Sequence, residues 1–233
     1  SITYVEESYN FNETVSAMGY SPIDPSHRYV LTYYGSFYHS SDDGNNWQMS
    51  SAFDGPDAHY FYGSTIWASQ STPGKVIIAG SGYSNPPVYI SYNHGENFEA
   101  LDEGLPNTLV YELYGTPDDA YFFAATEVGP YVYIAEDGEW TDLAGISAPD
   151  QTYWSVEYIP ELKTARFGTY GRGIWDFITD DESTIAGDLN QDEIVNVQDL
   201  ILLVNFVLGI DNPSDQQFNA GDVNGDGILN ILD

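Results

Sequence analysis

The chain contains no cysteine. Disulfides therefore contribute nothing to its stability, and thiol nucleophiles or redox pairs are excluded. Basic residues are almost as scarce: five Lys and Arg stand against 36 Asp and Glu in 233 residues, and none follows Arg172. A formal charge of −31 repels nucleic acid and anionic membranes, because contacts to phosphate need Lys and Arg. It suits divalent cations, saline surroundings or a basic partner. No apolar run approaches the ~18 residues that a membrane-spanning helix requires; the longest, 200–204, is interrupted by Asn205. The few histidines, His27, His39, His59 and His94, lack metal-ligand spacing and read as turn or surface residues. Neither a Gly-x-Ser-x-Gly elbow nor a phosphate loop is present. The first residue is Ser1 and no signal segment precedes the repeats, which reads as a processed or fragmentary chain.

What is present argues for a folded chain. Hydrophobic residues make up 42% and aromatic residues 15%, with 20 Tyr, so the acidic excess is not a sign of disorder. Residues 1–179 are built from four copies of one pattern: an apolar strand, a Pro turn, a second strand, a Gly turn, a third strand and an Asp/Gly loop. The first strands are 15–20, 65–69, 110–114 and 153–158. Pro25, Pro73, Pro117 and Pro160 follow them at spacings of 48, 44 and 43. The second strands are 29–33, 76–79, 121–125 and 165–169, and the third are 37–40, 88–91, 131–135 and 173–177. Both sets are rich in Tyr, Val, Ile and Phe. Gly35, Gly82, Gly129 and Gly171 fall between them, where positive φ favours glycine. A period in the forties with several strands per unit predicts β-propeller blades, about four of them, each a four-stranded antiparallel sheet. The fourth copy lacks its own outer strand, and residues 2–6 read as a strand left over from a preceding blade.

The loop after the third strand is the diagnostic element. Ser40, Asp42, Gly44 and Trp47 fit Ser-x-Asp-x-Gly-x-x-Trp. Ser91, Asn93, Gly95 and Phe98 repeat it with Asn and Phe, and Asp137, Gly138 and Trp140 form a shortened relative. These loops resemble the Asp-box, or BNR repeat, of sialidase-like and sortilin-like propellers. The resemblance implies a structural role, with Asp and Ser bracing a tight turn and the aromatic packing between sheets.

The last 46 residues carry a second repeat. Asp188, Asn190, Asp192, Asn196 and Asp199 recur 34 positions later as Asp222, Asn224, Asp226, Asn230 and Asp233. Oxygen-bearing side chains thus occupy loop positions 1, 3, 5, 9 and 12, with a main-chain carbonyl from position 7, Ile194 or Ile228. That spacing wraps Ca²⁺, and hard oxygen donors suit it better than a transition metal. The paired loops, residues 187–233, resemble a type I dockerin, which implies two Ca²⁺ ions held by these twelve residues and a cohesin-like protein partner. Two features depart from the pattern. Glu193 stands at position 6 where the turn prefers Gly, as at Gly227, and the pairs 197–198 and 231–232 are not the small hydroxyl pair many dockerins present. A helical stripe at 197, 200, 201, 204 and 208 follows the first loop, and no second helix follows the other. Residues 180–186 read as a polar linker.

The expected architecture is mainly β: propeller blades, then a small α-helical calcium-loop segment. No catalytic residue is assigned. A sialidase site needs three Arg around a carboxylate, and Arg28, Arg166 and Arg172 do not form a triad. Trp67, Trp154, Tyr83, Tyr114 and Tyr170 are candidates for stacking on sugar rings. The favoured expectation is a secreted bacterial, non-catalytic module that docks to a protein or polysaccharide. A fragment of a polysaccharide-degrading glycoside hydrolase and a subunit of an extracellular fibre, completed by neighbouring copies of itself, are the alternatives.

Overall fold

The computed structural model describes residues 9–50, 62–83, 85–145, 148–179, 185–190, 192, 194–230 and 233, with the side chains of 215 and 216 left aside. The proposed strand at 2–6, most of the linker and His59 lie outside the described residues. The chain divides into two compact units, Ser1–Thr179 and Asp180–Asp233.

Among the described residues, the first unit forms four antiparallel sheets. β1 (Val15–Tyr20), β2 (Arg28–Thr32), β3 (Phe37–Ser40) and β4 (Gln48–Met49) form the first, in that order. β5 (Gly63–Ala68), β6 (Val76–Gly80), β7 (Val88–Ser91) and β8 (Glu99–Ala100) form the second. β9 (Val110–Gly115), β10 (Tyr121–Thr126), β11 (Pro130–Ile134) and β12 (Glu139–Asp142) form the third. The fourth has three strands, β13 (Tyr153–Ile159), β14 (Thr164–Thr169) and β15 (Ile174–Ile178). Each sheet is a meander of sequence neighbours, the order in which propeller blades are wound. The first strands of successive blades pack on one another, β1 on β5, β5 on β9 and β9 on β13.

Turn chemistry sets the strand ends. Gly35 and Gly171 adopt φ of 90° and 85° in the turns between second and third strands. Gly82 does not share that conformation. It is required for space instead: a Cβ there would meet Pro87 Cβ at 2.5 Å. The Pro160–Leu162 segment is a 3₁₀ turn with Pro at its start, where a missing N–H costs nothing.

Three apolar layers hold the blades together. Tyr29, Leu31 and Phe37 meet Val76, Ile78 and Tyr89 between the first and second blades. Ile77, Ala79, Val88 and Ile90 meet Val110, Phe122, Ala124 and Trp140 between the second and third. Phe123, Ala125 and Val132 meet Tyr153, Val156, Tyr158, Ala165 and Phe167 between the third and fourth. Strand alternation sends one set of side chains forward and the other back, so every inner sheet is apolar on both faces. Gly95, at φ 86°, lies so close to the Phe37 ring that a Cβ would overlap it.

The last sheet breaks this rule on its forward face. Ala165, Phe167, Trp175 and Phe177 pack back on the third blade. Between them stands Arg166, registered with Glu157 on one side and Asp176 on the other. Its Nε and Nη2 donate to the Asp176 carboxylate oxygens at 2.8 and 2.7 Å. The equivalent residues of the earlier blades are Tyr29, Ile77 and Phe123, all buried and turned toward the next blade.

A buried ion pair ties the second blade to the third. Lys75 Nζ lies 3.3 Å from Asp119 Oδ2 and 4.6 Å above the centre of the Phe122 ring. Ser69 and Thr72 also donate to the Asp119 carboxylate, at 2.7–2.9 Å. Both charges are largely out of water, so removing one strands the other. Asp119→Ala is expected to destabilise the first unit by about 3–5 kcal/mol, measured by urea unfolding. Lys75→Met, which removes the cation and keeps the apolar stem, should cost less.

Candidate metal centre

The second unit is short and organised by its loops. α1 (Val197–Val207) starts at Asn196, whose side chain accepts the Gln198 N–H at 2.8 Å while Asp199 accepts the Asn196 N–H at 2.8 Å, closing a capping box. α2 (Asp215–Gly221) starts at Ser214 with a second capping box to Gln217. Among the described residues of the second unit, Leu189, Leu203 and Ala220 are the buried apolar ones. The Gly187 N–H donates to the Ala220 carbonyl at 2.8 Å, and Gln217 Nε2 to the Leu189 carbonyl at 3.2 Å. These bonds join α2 to the first loop.

The two loops repeat one bonding scheme. The Asp192 N–H donates to Asp188 Oδ1 at 3.2 Å and to Asn190 Oδ1 at 3.0 Å. The Asp226 N–H donates to Asp222 Oδ1 at 3.0 Å and to Asn224 Oδ1 at 2.9 Å. Asp192 Oδ1 and Asp226 Oδ1 accept the N–H of Ile194 and Ile228 at 3.0 and 2.9 Å. Asp199 Oδ2 and Asp233 Oδ2 accept from Asn196 and Asn230 at 2.8 and 2.7 Å. Asn196 and Asn230 donate in turn to the carbonyls of Ile194 and Ile228. Asp199 also accepts from Leu189 and Asn190. The Asn196 N–H above all, with those of Asn190 and Leu189, holds its carboxyl below the ordinary carboxylate range, against the opposing effect of burial.

These oxygens fit a hard cation in kind. Asp233 Oδ1 is buried without a hydrogen-bond partner among the described residues, an arrangement that favours a positive ligand. Carboxylates alone do not make the cage: among the described residues no three His, Cys, Asp or Glu gather as a metal cluster. Asn side chains and main-chain carbonyls must complete any coordination shell. Gln191, Glu193, Ile231 and Leu232 lie outside the described residues.

The boxes of the first unit are turns braced by side chains. Ser40 Oγ donates to Asp42 Oδ1 at 2.8 Å and accepts the Gly44 N–H at 3.0 Å. Asp42 accepts the Asn46 main-chain and side-chain N–H at 2.8 and 2.6 Å, and Trp47 Nε1 donates to the Gly44 carbonyl. Ser91 and Asn93 repeat these bonds toward Gly95 and Asn97, and Phe98 packs edge-on against Phe37. The third turn works differently. The N–H groups of Asp137 and Gly138 donate to the Ile134 carbonyl. No hydrogen bond reaches the Asp137 carboxylate among the described residues. Trp140 is buried and donates to the Leu101 carbonyl at 2.8 Å.

The remaining candidates separate by burial. Trp67 is buried between the second and third blades, edge-on to Phe122, and Tyr114 packs into the layer between the third and fourth. Trp67 offers no ring to a ligand, whereas Tyr114 is half-buried and lines an open hollow. Trp154, Tyr83 and Tyr170 are exposed. His27 and His94 stack with ring centres 3.6 Å apart, and His94 Nδ1 meets the Tyr29 hydroxyl at 2.8 Å. A hollow of about 420 Å³, lined by Glu112, Tyr114, Ser155, Glu157, Arg166 and Ile174, opens at the inner strands of the last two blades. Burial raises the Glu112 carboxyl, with the Glu157 charge adding to it and the Val156 N–H opposing it. Sequence reasoning passed over Glu112, since nothing distinguishes it among 36 acids.

Residues 186–233 match the Dockerin type I domain family. No curated protein matches the chain in sequence. Among solved structures, an ancestral GH74 enzyme superposes with a TM-score of 0.59 at 16% identity, over 73% of this chain and 26% of the enzyme. The GH74 xyloglucanase of Xanthomonas campestris superposes at 0.55 and 13%, over 69% and 28%. The extracellular domain of a hybrid two-component system from B. thetaiotaomicron does so at 0.55 and 15%, over 70% and 21%. The chain therefore spans 21–28% of the length of these proteins. The first unit has their propeller fold, and the second is a type I dockerin domain.

The box geometry generates a paired expectation. Asp42→Ala should lower the unfolding temperature of the first unit, whereas Asp137→Ala should leave it unchanged. The Asn46 side-chain and main-chain N–H groups, helped by Ser40, hold the Asp42 carboxyl below its ordinary value of 3.8. Its contribution is complete above that pH and is lost as pH falls through the lowered value. Asp42→Asn should therefore flatten the acid limb of a stability–pH curve below pH 3.8.

Proposed function

We propose that this chain is a secreted, non-catalytic propeller module held to a protein partner by a tail that calcium orders. The observation carrying this reading is the doubled loop, in which position 5 donates to positions 1 and 3 and position 12 accepts from position 9 in both copies. In this reading two Ca²⁺ ions lie in the loops, one held by Asp188, Asn190, Asp192, Ile194, Asn196 and Asp199. The other is held by Asp222, Asn224, Asp226, Ile228, Asn230 and Asp233. Each ion offsets the mutual repulsion of three carboxylates, with carbonyl and amide oxygens completing the shell. The exposed stripe of α1 and its C-cap, Val197, Leu200, Ile201, Val204 and Leu208, supplies the contact surface. The partner is a cohesin-like domain. The scarcity of Lys and Arg and the millimolar calcium affinities of extracellular modules agree with a place outside the cell.

A second reading, a fragment of a polysaccharide-degrading glycoside hydrolase, draws on the hollow that holds Glu112 beside Glu157. A carboxyl raised by burial is suited to general-acid work, and two of the fold's neighbours are GH74 enzymes. Reducing-sugar release from xyloglucan by the parent chain, abolished in Glu112→Gln, would replace the non-catalytic reading.

Calcium titration followed by calorimetry tests the main reading. Two ions should bind per chain, and Asp192→Ala should lose about one of them while keeping the other. Retention of a type I cohesin on the immobilised chain should require calcium and disappear with EGTA or with Ile201→Asp. Equal calcium uptake by parent and Asp192→Ala would refute the ligand set.

A further inference from the structure

Four equivalent hydrogen bonds define one end of the propeller. In each blade the turn after the second strand donates a main-chain N–H to the residue just before an inner strand. Tyr33 donates to Thr14 at 2.7 Å, Ser81 to Tyr62 at 3.3 Å, Glu127 to Leu109 at 3.0 Å and Tyr170 to Thr152 at 3.1 Å. The antiparallel course puts the Pro turns and the braced boxes at the opposite end. Beside each of these bonds the inner strand carries a bulge, at Ser16, Ser64, Tyr111 and Trp154.

The bulge position has a plain structural solution in the first two blades. Ser16 Oγ donates to the Leu31 carbonyl at 3.1 Å, and Ser64 Oγ donates to the Ala79 carbonyl at 2.9 Å. A serine is thus sufficient. The third and fourth blades place large rings there instead, and bulges re-aim the side chains they carry. Tyr111 and Trp154 lie 4.3 Å apart at 43°, and Tyr170 meets Trp154 edge-on at 6.2 Å. Trp154 is nevertheless 47% exposed and Tyr170 74% exposed. Burial in the blade layers does not account for these rings, because neither belongs to them.

Polar groups flank the rings. Tyr83 donates its hydroxyl to Glu127 Oε2 at 2.5 Å, and that bond, with some burial and the Glu127 charge, pushes the phenol up to about 12. Thr152 Oγ1 donates to the Glu127 carbonyl at 3.0 Å. A ligand seated here meets exposed rings and, at their edge, carboxylate and hydroxyl oxygens. That combination is complementary to a pyranose, which has an apolar C–H face and a rim of hydroxyl donors. The excess of 36 acidic over five basic residues disfavours a polyanion.

We propose that Tyr111, Trp154 and Tyr170, with Glu127 at their edge, form a binding platform for neutral polysaccharide on the end of the propeller opposite the boxes. The site needs neither calcium nor the tail. Its failure would leave the docking reading intact, and loss of docking would leave this site intact.

Affinity electrophoresis of the full chain through gels containing xyloglucan, mixed-linkage β-glucan, galactomannan or polygalacturonate tests the platform. The expected result is calcium-independent retardation by at least one neutral polymer. Trp154→Ala and Tyr170→Ala should each weaken it at least about tenfold, with unfolding temperature and near-ultraviolet dichroism confirming that the variants fold. Tyr92→Ala, which removes a 58% exposed ring at the box end, should bind as the parent does. The proposal is overturned by no retardation in any neutral gel, by retardation in polygalacturonate alone, or by a folded Tyr170→Ala variant that migrates as the parent.

Discussion

Sheet faces covering one another hold the first unit together. A meander of three or four short strands cannot stand alone in water, because one face must be buried to offset the entropy of ordering it. Here each inner sheet is buried on both faces by aromatic and branched side chains, from Tyr29 and Phe37 through Ile77 and Val88 to Phe123 and Phe167. Everything else at the blade ends is positioned by that stacking: the braced boxes, the stacked histidines, the buried Lys75–Asp119 pair and the aromatic rim. The second unit follows a different rule. With few buried apolar residues, it is organised by main-chain N–H groups bonded to carboxylate and amide oxygens.

The strand layout was legible because its signals are local. Val, Ile and Tyr runs punctuated by Pro25, Pro73, Pro117 and Pro160 place the strands within two residues of the observed ends, and at 15–20, 37–40 and 88–91 on them. The short outer strands, 48–49, 99–100 and 139–142, carry too few residues for a pattern. The helix at 215–221 also went unread, although Ser214 and Gln217 form a visible capping signal, since it holds only seven residues.

Orientation was less legible than position. Trp67 and Trp154 look alike in the sequence, each in a first strand, yet one is buried between blades and the other stands in solvent. Both strands carry a one-residue bulge; Trp154 occupies it, whereas Trp67 lies three residues beyond the one at Ser64 and pairs regularly with Ile77, a placement that local composition does not encode. Gly82 was read for its backbone freedom and is needed for clearance from Pro87. Asp137 has the residue type of a box and lacks the serine that would engage it, so its turn closes through the main chain alone. In the tail, the spacing of oxygens was legible at once, and the network of N–H donors behind them was not.

The ion pair on the forward side of the last sheet bears on how such a chain can grow. Propellers lengthen by duplicating a blade, and a duplicate is tolerated only where its two sides are interchangeable. A tandem copy of β13–β15 would place Arg166, Glu157 and Asp176 inside a new inter-sheet layer, where water could no longer solvate them. Gene duplication at this boundary would thus have to change several positions together before the extra repeat could fold. These three side chains would oppose the packing of an identical sheet on that face.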